Sequence, residues 1–223
     1  MQLEECLRGV AAWFNLLTEE QQKRVLQGVS LSHYAAGAII ESKGGKGTAW
    51  IGVISGLAKV SVGNSEGKMA SLTGVPAGGW IGEGTLLKRE ARRYDIVALR
   101  ETTIARLPAA TFDWLLDSSI PFNRYLIHQL NERVAQFIGK AENDRLLAPD
   151  ARVARCLAEL FNPLLYPGKG MHLMITQEEV GYLARISRQR ANQALRTLEL
   201  AKLLRVEYGA IHVLDLDGLK HYG

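Results

Sequence analysis

The hydrophobic positions of this chain are spaced as in helices in some stretches and as in short strands in others. The changes between these two patterns divide the chain into three stretches. Residues 4–28 carry apolar side chains at intervals of three and four, which predicts helix: Leu7, Val10, Ala11, Phe14 and Leu17. From residue 30 to residue 108, short apolar runs rich in β-branched residues alternate with glycines. Helical spacing returns over 109–116 and continues beyond. The pattern therefore predicts a β-domain flanked by helical segments.

The glycines of the middle stretch are evenly spaced, at steps of 8, 11, 11 and 12 residues: Gly37, Gly45, Gly56, Gly67 and Gly79. The runs between them predict strands over 38–40, 50–54, 57–62, 96–99 and 103–107. The segment 76–79, with the sequence PAGG, is a further turn cluster. Short strands at regular spacing, with turn residues between them, are typical of a β-sandwich or jelly roll.

Residues 122–147 form the longest helical pattern in the chain, and Pro121 stands near its start, where proline is tolerated. Apolar residues recur along this helix at intervals of three or four positions and form a stripe: Leu126, Leu130, Val134, Phe137 and Ala141. Ile127 and Ile138 lie beside this stripe. Such a stripe on a helix between two domains favours pairing with the same helix of a second copy. The alternative is that the helix packs on its own β-domain. The segment 148–150, Ala-Pro-Asp, ends the helix and marks a domain boundary.

Two short helical patterns with a sharp break between them lie within 175–199. Thr176, with Glu179 three residues later, predicts a capping box for the first helix, and Ser187 is a favourable N-cap for the second. The apolar side of the second helix is Ala191, Ala194, Leu195 and Leu198. Apolar runs at 203–206 and 211–214, joined by a turn at Tyr208-Gly209, then predict a β-hairpin that would form the wing of a winged helix.

The outer face of the second helix is basic. Residues 187–198 hold three arginines and no acidic residue, a formal charge of +3. Long hydrogen-bonding side chains at the start of a basic helix suit the DNA major groove, where the helix-turn-helix motif places its second helix. The alternative is the solvated surface of an ordinary helical domain. We predict DNA contacts from Ser187, Arg188, Gln189, Arg190, Gln193 and Arg196.

Composition sets bounds on the remaining classes. A chain of 223 residues that is 47% hydrophobic can bury a sizeable core and is expected to hold two domains. Its net charge of +4 and pI of about 9.1 are compatible with nucleic-acid binding. No apolar run approaches the roughly 18 residues of a membrane span, and no signal-peptide pattern is found. With only two cysteines, a cytoplasmic setting is expected.

The sequence contains no residue pattern typical of a catalytic or metal-binding site. The five histidines are far apart without HxH or HExxH spacing, and Cys6 and Cys156 form no CxxC pair, so neither a metal enzyme nor an iron–sulfur cluster is expected. Haem would need an axial ligand such as His33 or His128, and a lone histidine is better explained as a structural or surface residue. The segment 44–48, GGKGT, lacks the spacing of a phosphate-binding loop and indicates a turn.

The order of the motifs resembles the catabolite activator / fumarate-nitrate reduction regulator (CRP/FNR) family of bacterial transcription regulators. The likeness covers nearly the whole chain, and its carriers are Tyr34-x-x-Gly37-x-x-Ile40, Val53-x-x-Gly56-x-x-Lys59-Val60, Gly67-Lys68, Gly82-Glu83, Ala151-Arg152-Val153-Ala154 and 176–199. The resemblance implies an α+β chain in three parts. These are a cyclic-nucleotide-binding-type β-roll (a jelly roll) at 1–121, a dimerisation helix at 122–148 and a C-terminal winged helix-turn-helix at 149–223.

The resemblance also implies where an effector would bind. In cAMP-binding members, Gly-Glu followed eleven residues later by Arg-Ser holds the ribose and the cyclic phosphate. Here Arg93 stands eleven positions after Gly82, and Tyr94 replaces the serine. Such members also contact adenine through a Thr-Ser pair on the long helix, whereas residues 124–147 here contain no Ser or Thr. The candidate effector residues are Gly82, Glu83, Arg92, Arg93 and Tyr94.

The expected effector is a nucleotide other than cAMP, such as a cyclic dinucleotide, or another small anion. The alternative is that Glu83 and Arg93 form only a structural ion pair and that the protein binds DNA constitutively, under the control of its abundance. We expect a non-enzymatic, dimeric regulator that binds double-stranded DNA at an inverted repeat, with RNA polymerase as a further partner and no membrane association. Gln189 and Gln193 replace residues common in the family, so the operator is expected to differ from the usual site. A ligand-binding module that never touches DNA is the remaining alternative.

Overall fold

The computed structural model describes residues 3–63, 69–167 and 170–223 of the chain. Gly67 and Lys68, which form one of the motifs named above, lie outside the described residues. Contacts divide the chain into two compact units, and each is described by itself. The first holds the described residues up to Asn131 together with 164–167, and the second holds 132–163 and the residues from 170 onwards.

The N-terminal segment is helical, as residues 4–28 predict, and it is divided into successive helices. It consists of α1 (Leu3–Val10), a 3₁₀ helix (Ala12–Leu16) and α2 (Glu19–Gly28). Thr18 breaks the continuity because it caps α2. Its side chain accepts a hydrogen bond from the Gln21 amide while the Gln21 side chain returns to the Thr18 amide.

Eight antiparallel strands of the first unit form two four-stranded sheets, as the jelly-roll expectation requires. One sheet has the order β1-β8-β3-β6 and contains Ser30–Tyr34, Thr102–Pro108, Ala49–Ser55 and Trp80–Ile81. The other has the order β2-β7-β4-β5 and contains Ile39–Glu41, Asp95–Ala98, Leu57–Gly63 and Met69–Pro76. The five strands predicted from sequence are confirmed. Strands β1, β5 and β6 and the helix α3 (Glu83–Lys88) were not predicted.

The described residues of the first unit form two hydrophobic clusters. One lies between strands of the β-roll, around Val53, Val60, Ile96 and Ile104. The other is aromatic, with ring centroids 4.7–6.1 Å apart, and its members are Trp13, Phe14, Trp50, Trp80, Phe112 and Phe122. Burial of these large rings is what joins the N-terminal helices and the helices after β8 to the roll.

The helices α4 (Ala109–Ser118) and α5 (Ile120–Leu146) follow the roll. Pro121 is the second residue of α5, where its missing N–H costs no hydrogen bond. The helix is 27 residues long and ends before Pro149, as its sequence predicts. Because α5 crosses the division between the units at Asn131, its N-terminal part belongs to the first unit and its C-terminal part to the second.

The second unit is a winged helix-turn-helix. Its helices are α6 (Pro149–Glu159), α7 (Gln177–Ala184), α8 (Arg188–Leu200) and α9 (Leu216–His221). Strands β10 (Leu204–Glu207) and β11 (Ala210–Val213) form the predicted hairpin, and Gly209 takes a positive φ of 67° in its turn. Strand β9 (His172–Met174) adds a third strand beside β11 that was not predicted.

Candidate DNA-binding and effector sites

Two side-chain caps define the helix-turn-helix. Thr176 accepts from the Glu179 amide at 3.2 Å and donates its own amide to the Glu179 carboxylate at 2.5 Å, so the predicted capping box of α7 is confirmed. Ser187 accepts from the Arg190 amide at 3.2 Å and begins α8, also as predicted. Both helices therefore start where local hydrogen bonding dictates.

The turn between α7 and α8 depends on Arg185 and on Gly181, and the sequence did not single out Gly181 for this role. Arg185 ends α7 with a φ of 56°, a left-handed conformation that favours glycine. Gly181 lies under the turn, where an added Cβ would stand 3.0 Å from the Ile186 carbonyl oxygen. A larger side chain at Gly181 would push α7 and the turn apart. The signal in the sequence was a glycine on the inner side of an otherwise ordinary helix.

The six residues predicted to contact DNA all lie on the exposed face of α8: Ser187, Arg188, Gln189, Arg190, Gln193 and Arg196. The opposite face is fully buried through Ala191, Ala194, Leu195 and Leu198. Arg190 donates to the Gln193 side-chain oxygen at 2.8 Å, which aligns two of the polar side chains along the helix. The outward face of α8 is therefore basic and rich in hydrogen-bonding groups.

The wing stands beside the start of α8. The Val206 amide donates to the Glu199 carboxylate at 2.8 Å and so fastens β10 to α8. A cavity of about 420 Å³ opens between the N-terminal ends of α7 and α8 and the hairpin, and Thr176, Arg188 and Tyr208 are among its lining residues. Tyr208 is fully exposed at the tip of the wing. The exposed Tyr208 of the wing and Arg188 of the basic helix α8 therefore line the same cavity.

The C-terminal end of α7 is held by charged side chains of α5 and α6. Lys140, itself buried, donates to the Leu183 carbonyl at 3.1 Å, and Arg152 donates to the Ala184 carbonyl at 2.8 Å. Cations at the last carbonyls of a helix are favourable because of its dipole. Asp144 of α5 lies 2.8 Å from Arg185 and 3.4 Å from Arg152. We call Lys140, Asp144, Arg152 and Arg185 the α5–α7 clamp.

The predicted effector residues do not all come together. Gly82 takes a φ of 102° before α3, and an added Cβ there would stand 3.0 Å from Nη1 of Arg92. Glu83 is buried and accepts a hydrogen bond from the indole nitrogen of Trp50 at 3.3 Å. Gly82 and Arg92 are therefore neighbours, while the Glu83 carboxylate is directed to the aromatic cluster.

The two neighbouring arginines have opposite environments. The Arg92 side chain is 0% exposed, whereas that of Arg93 is 73% exposed and pairs with Glu90 at 2.7 Å. Both backbone groups of Arg92 bond to the turn at 44–45, at 2.9 and 2.7 Å, which fixes its orientation. The chain bends at Arg93 and Tyr94, and the two neighbouring side chains differ in direction, with Arg92 enclosed and Arg93 facing solvent. The arginine eleven positions after Gly82, Arg93, therefore lies on the surface, and the buried arginine is its neighbour Arg92.

The guanidinium of Arg92 has few partners. Its nearest acidic oxygen is Oε2 of Glu41, at 3.5 Å, and among the described residues none of its three nitrogens has a hydrogen-bond partner. The Tyr94 ring, partly buried against the β-roll core, lies 5.8 Å from the Arg92 carbon Cζ. A guanidinium has five N–H donors, and leaving them unused in a buried place is unfavourable.

Hydroxyl side chains line part of the β-roll interior. Ser71 and Thr73 of β5 are both buried, on either side of an irregularity in the pairing with β4, and Ser61 of β4 is paired with Ser71. Within the described part of the chain, the Ser61 hydroxyl has no hydrogen-bond partner. The Thr73 hydroxyl, in contrast, donates to the Gly74 carbonyl oxygen at 3.2 Å.

Comparisons with known proteins agree with this architecture. Two domain-family models match, a cyclic nucleotide-binding domain over residues 31–119 and a Crp-like helix-turn-helix domain over 151–222. The chain is 27% identical over 190 residues to the cAMP-activated global transcriptional regulator CRP of Haemophilus influenzae, covering 81% of this chain and 84% of that protein. It is 28% identical over 170 residues to the transcriptional regulator SdrP of Thermus thermophilus, covering 75% and 80% respectively.

The chain belongs to the CRP/FNR family. It is a CRP-family transcription regulator with a cyclic-nucleotide-binding domain and a helix-turn-helix domain, and the latter implies DNA binding. The structure of FixK2 from Bradyrhizobium japonicum has the same fold, with a TM-score of 0.70 over 86% of this chain and 95% of that one. At 13% identity this likeness concerns the fold alone.

The apolar stripe predicted along α5 of this CRP-family chain is divided between two environments. Leu126 is buried in the aromatic cluster and Leu130 packs against it, so both serve the core of the first unit rather than an outer face. Val134, Phe137 and Ala141 are exposed, as are Ile127 and Ile138, which lie beside the predicted stripe. The exposed apolar surface of α5 is therefore centred on Ile127, Val134 and Ile138. Val134 follows Ile127 by seven residues and Ile138 follows Val134 by four, so the three lie on one side of the helix.

Two further observations concern the described residues. No helix within 3–63, 69–167 and 170–223 is long and apolar enough to cross a membrane. In the same residues, no group of three or more His, Cys, Asp or Glu side chains is placed to hold a metal ion.

Proposed function

We propose that this CRP-family regulator is a homodimer that binds an anionic nucleotide in its β-roll through Arg92 and reads an inverted-repeat DNA site with α8. The observation that carries the effector part is the enclosed guanidinium of Arg92, which has no hydrogen-bond partner among the described residues. The proposed division of labour follows the sequence: sensor 1–121, dimerisation helix 122–148 and DNA-binding domain 149–223.

The energetics of burial support an anion at Arg92. Removing a guanidinium from water costs several kcal/mol unless its donors are satisfied. The ion pair between Arg92 and Glu41, at 3.5 Å and without a hydrogen bond, offsets only part of this desolvation free energy. A phosphate oxygen that accepts from two of the nitrogens would offset more, because the planar fork of a guanidinium matches it. Gly82 leaves the space for such an approach, since any side chain there would meet Arg92.

The residues around Arg92 favour an effector other than cAMP. Tyr94 replaces a small hydroxyl side chain, and the Glu83 carboxylate is engaged by Trp50. The long helix offers no Ser or Thr over 124–147. We propose a different cyclic nucleotide or a cyclic dinucleotide, whose larger or differently substituted bases would contact Tyr94 by stacking.

The proposed DNA contacts follow from the exposed face of α8. Arg188 leaves the N-terminal turn, the end that enters the major groove in this motif. Gln189 and Gln193 suit adenine, and Arg188 suits guanine. Two subunits related by a twofold axis would read two half-sites, which is why an inverted repeat is expected. RNA polymerase is proposed as the further partner of the DNA-bound dimer.

The test uses the two adjacent arginines as a matched pair. Arg92→Gln should abolish the rise in melting temperature given by cyclic GMP or cyclic di-GMP, and with it any nucleotide-induced gain in DNA affinity. Arg93→Gln should leave both unchanged, because its side chain lies outside the roll. The reverse result, with Arg93→Gln as the damaging change, would refute the assignment of Arg92.

The Arg92–Glu41 ion pair supports a second candidate function. If that pair suffices to stabilise the roll, the protein binds DNA constitutively and its abundance sets its activity. In that case DNA affinity is equally high without any nucleotide, and Arg92→Gln lowers thermal stability alone. A titration of labelled inverted-repeat DNA in the absence and presence of the nucleotides separates the two functions.

A further inference from the structure

A chain of charges inside the β-roll links Arg92 to Arg106, with one carboxylate between them. Oε2 of Glu41 lies 3.5 Å from Arg92, while Oε1 of the same carboxylate is hydrogen-bonded by Arg106. The side chains of Arg92, Glu41 and Arg106 are 0%, 14% and 21% exposed. Two guanidinium groups and one carboxylate give this cluster a formal net charge of +1.

The two arginines share Glu41 unequally. Arg106 also donates to the Tyr34 hydroxyl at 2.7 Å and to the Ile40 carbonyl at 3.1 Å, so its donors are well used. Burial would lower the pKa of Arg106, yet the hydrogen bonds with Glu41 and Tyr34 outweigh it and raise that pKa. Arg92 has the longer, unbonded contact and, among the described residues, no hydrogen-bond partner. Glu41 therefore forms its hydrogen bond with Arg106, and it interacts with Arg92 only through the longer charge–charge contact.

We propose that Glu41 is a specificity-determining residue that makes the Arg92 site accept a phosphate group with one negative charge and disfavour a phosphate group with two. This inference rests on the proposed function, in which Arg92 binds the effector. A singly charged phosphodiester, as in a cyclic nucleotide, brings the cluster to zero. A phosphomonoester carries about −1.5 to −2 at pH 7 and would leave an excess negative charge beside the Glu41 carboxylate. Away from bulk water such an excess is strongly unfavourable.

The experiment compares ligands that differ in phosphate charge but not in base or sugar. Cyclic GMP is compared with 5′-GMP, and cyclic AMP with 5′-AMP, by calorimetry on the full-length protein at one pH and ionic strength. The quantity of interest is the ratio of the two affinities within each pair. Because both ligands meet the same protein, a change in fold stability caused by a substitution largely cancels in this ratio.

Three variants alter the cluster charge in a defined way. Glu41→Gln raises it to +2 and should shift the ratio toward the 5′-monophosphate by roughly tenfold or more, since one full charge is removed a few Å from the ligand. Arg106→Gln lowers it to zero and lets Glu41 pair with Arg92, so both ligands of a pair should bind at least about tenfold more weakly. The double variant restores +1 and should restore the wild-type preference for the cyclic ligand. If Glu41→Gln alone does not fold, Arg106→Gln and the double variant carry the test.

The outcomes distinguish this inference from the function on which it rests. If a cyclic nucleotide binds the wild type, Arg92→Gln abolishes binding, and the ratio stays constant across the cluster variants, then Glu41 is only structural and the inference is overturned while the effector site stands. If none of the four nucleotides binds the wild type or any variant, the proposal of a mononucleotide effector at Arg92 fails and takes this inference with it. A ratio that follows cluster charge, including its return in the double variant, supports both.

Discussion

Arg188 and Arg196 occupy opposite ends of the exposed face of α8, and we expect them to do different work on DNA. Arg188 follows the Ser187 cap, and we expect its side chain to form a bidentate contact with guanine O6 and N7. Arg188→Ala should cost about 1–3 kcal/mol and relax the preference at one position per half-site. Arg196 lies over two turns further along, where we expect the helix to leave the groove, so Arg196→Ala should weaken all sequences alike and reduce the salt slope by about one per subunit.

Selection of binding sites from a random DNA pool, for the wild type and both variants, measures these effects together. Each variant serves as the control for the other, because both remove one exposed arginine from the same helix. An unchanged consensus for Arg188→Ala, or no inverted repeat for the wild type, would contradict the placement of α8 in the major groove.

At the residue scale, the features that sequence predicts well are those fixed by a few neighbours. Thr176 and Ser187 cap their helices because the amide that each side chain accepts from lies three residues away. The choice between Arg92 and Arg93 is different. The left-handed Arg89 at the end of α3 and the pairing of Arg92 with the turn at 44–45 determine which side chain points inward. Neither can be inferred from a count of residues after Gly82.

At the element scale, the exposed apolar face of α5 predicts a dimer. Val134 is 57% exposed at the centre of this face, between Ile127 and Ile138. Val134→Glu should raise the dimer dissociation constant by about a hundredfold or more, because an unpaired carboxylate would be buried twice across the twofold axis. Leu130 is unsuitable for this test, since it packs against the core of its own unit and its substitution would also affect folding.

His128→Glu provides the matched control, because position 128 is exposed but lies on another side of α5. Sedimentation or light scattering across a concentration series gives the dissociation constants, and DNA affinity should fall together with dimerisation. A wild type that remains monomeric at micromolar concentration, or equal effects of the two substitutions, would refute a dimer on this face.

The second element-scale prediction concerns pH. Burial raises the pKa of Glu159 on α6 from 4.5 to about 7, with Lys140 opposing the shift and Asp144 adding to it. Between these two values the folded protein holds a proton on Glu159 that the unfolded chain has lost, so the contribution of Glu159 to the free energy of unfolding falls as pH rises through this window and does not change outside it. Glu159→Gln should therefore stabilise the protein at pH 8, by about 1–2 kcal/mol after allowance for solvent screening, and much less at pH 5.

Thermal melts of the wild type and of Glu159→Gln at both pH values measure this difference. Glu142→Gln is the control, because Glu142 is exposed on α5. A gain in stability that is the same at pH 5 and pH 8 would mean that the substitution acts through packing rather than through the titration of Glu159.

Three of the strands that the sequence did not predict, β1, β6 and β9, share a physical reason. Strands β6 and β9 have two and three residues, too few to display a period, and they exist only because β3 and β11 offer them hydrogen bonds. Strand β1 is SLSHY, a mostly polar segment without a continuous buried face, and it is stabilised by pairing with β8. Long-range pairing decides such short strands, whereas α5 and α8 were predictable from their own repeating patterns.

At the scale of the whole molecule, the sensor and the DNA-binding domain must be linked for an effector to act. The C-terminal part of α5 is joined to the helix-turn-helix by the α5–α7 clamp, in which Asp144 contacts both Arg152 and Arg185. If an effector raises DNA affinity by some factor, DNA must raise effector affinity by the same factor. Typical coupling factors of this kind are about 5–150.

Asp144→Asn should lower this coupling factor equally in both directions, because it weakens the contacts between α5 and the end of α7 without touching Arg92 or the exposed face of α8. The intrinsic affinity for nucleotide without DNA should stay within about twofold of the wild type, and Glu142→Gln should change nothing. Four titrations test this for each protein: nucleotide with and without operator DNA, and DNA with and without nucleotide. If Asp144→Asn weakens DNA binding by the same factor whether or not the nucleotide is present, the clamp only positions the helix-turn-helix, and the coupling must run through other contacts.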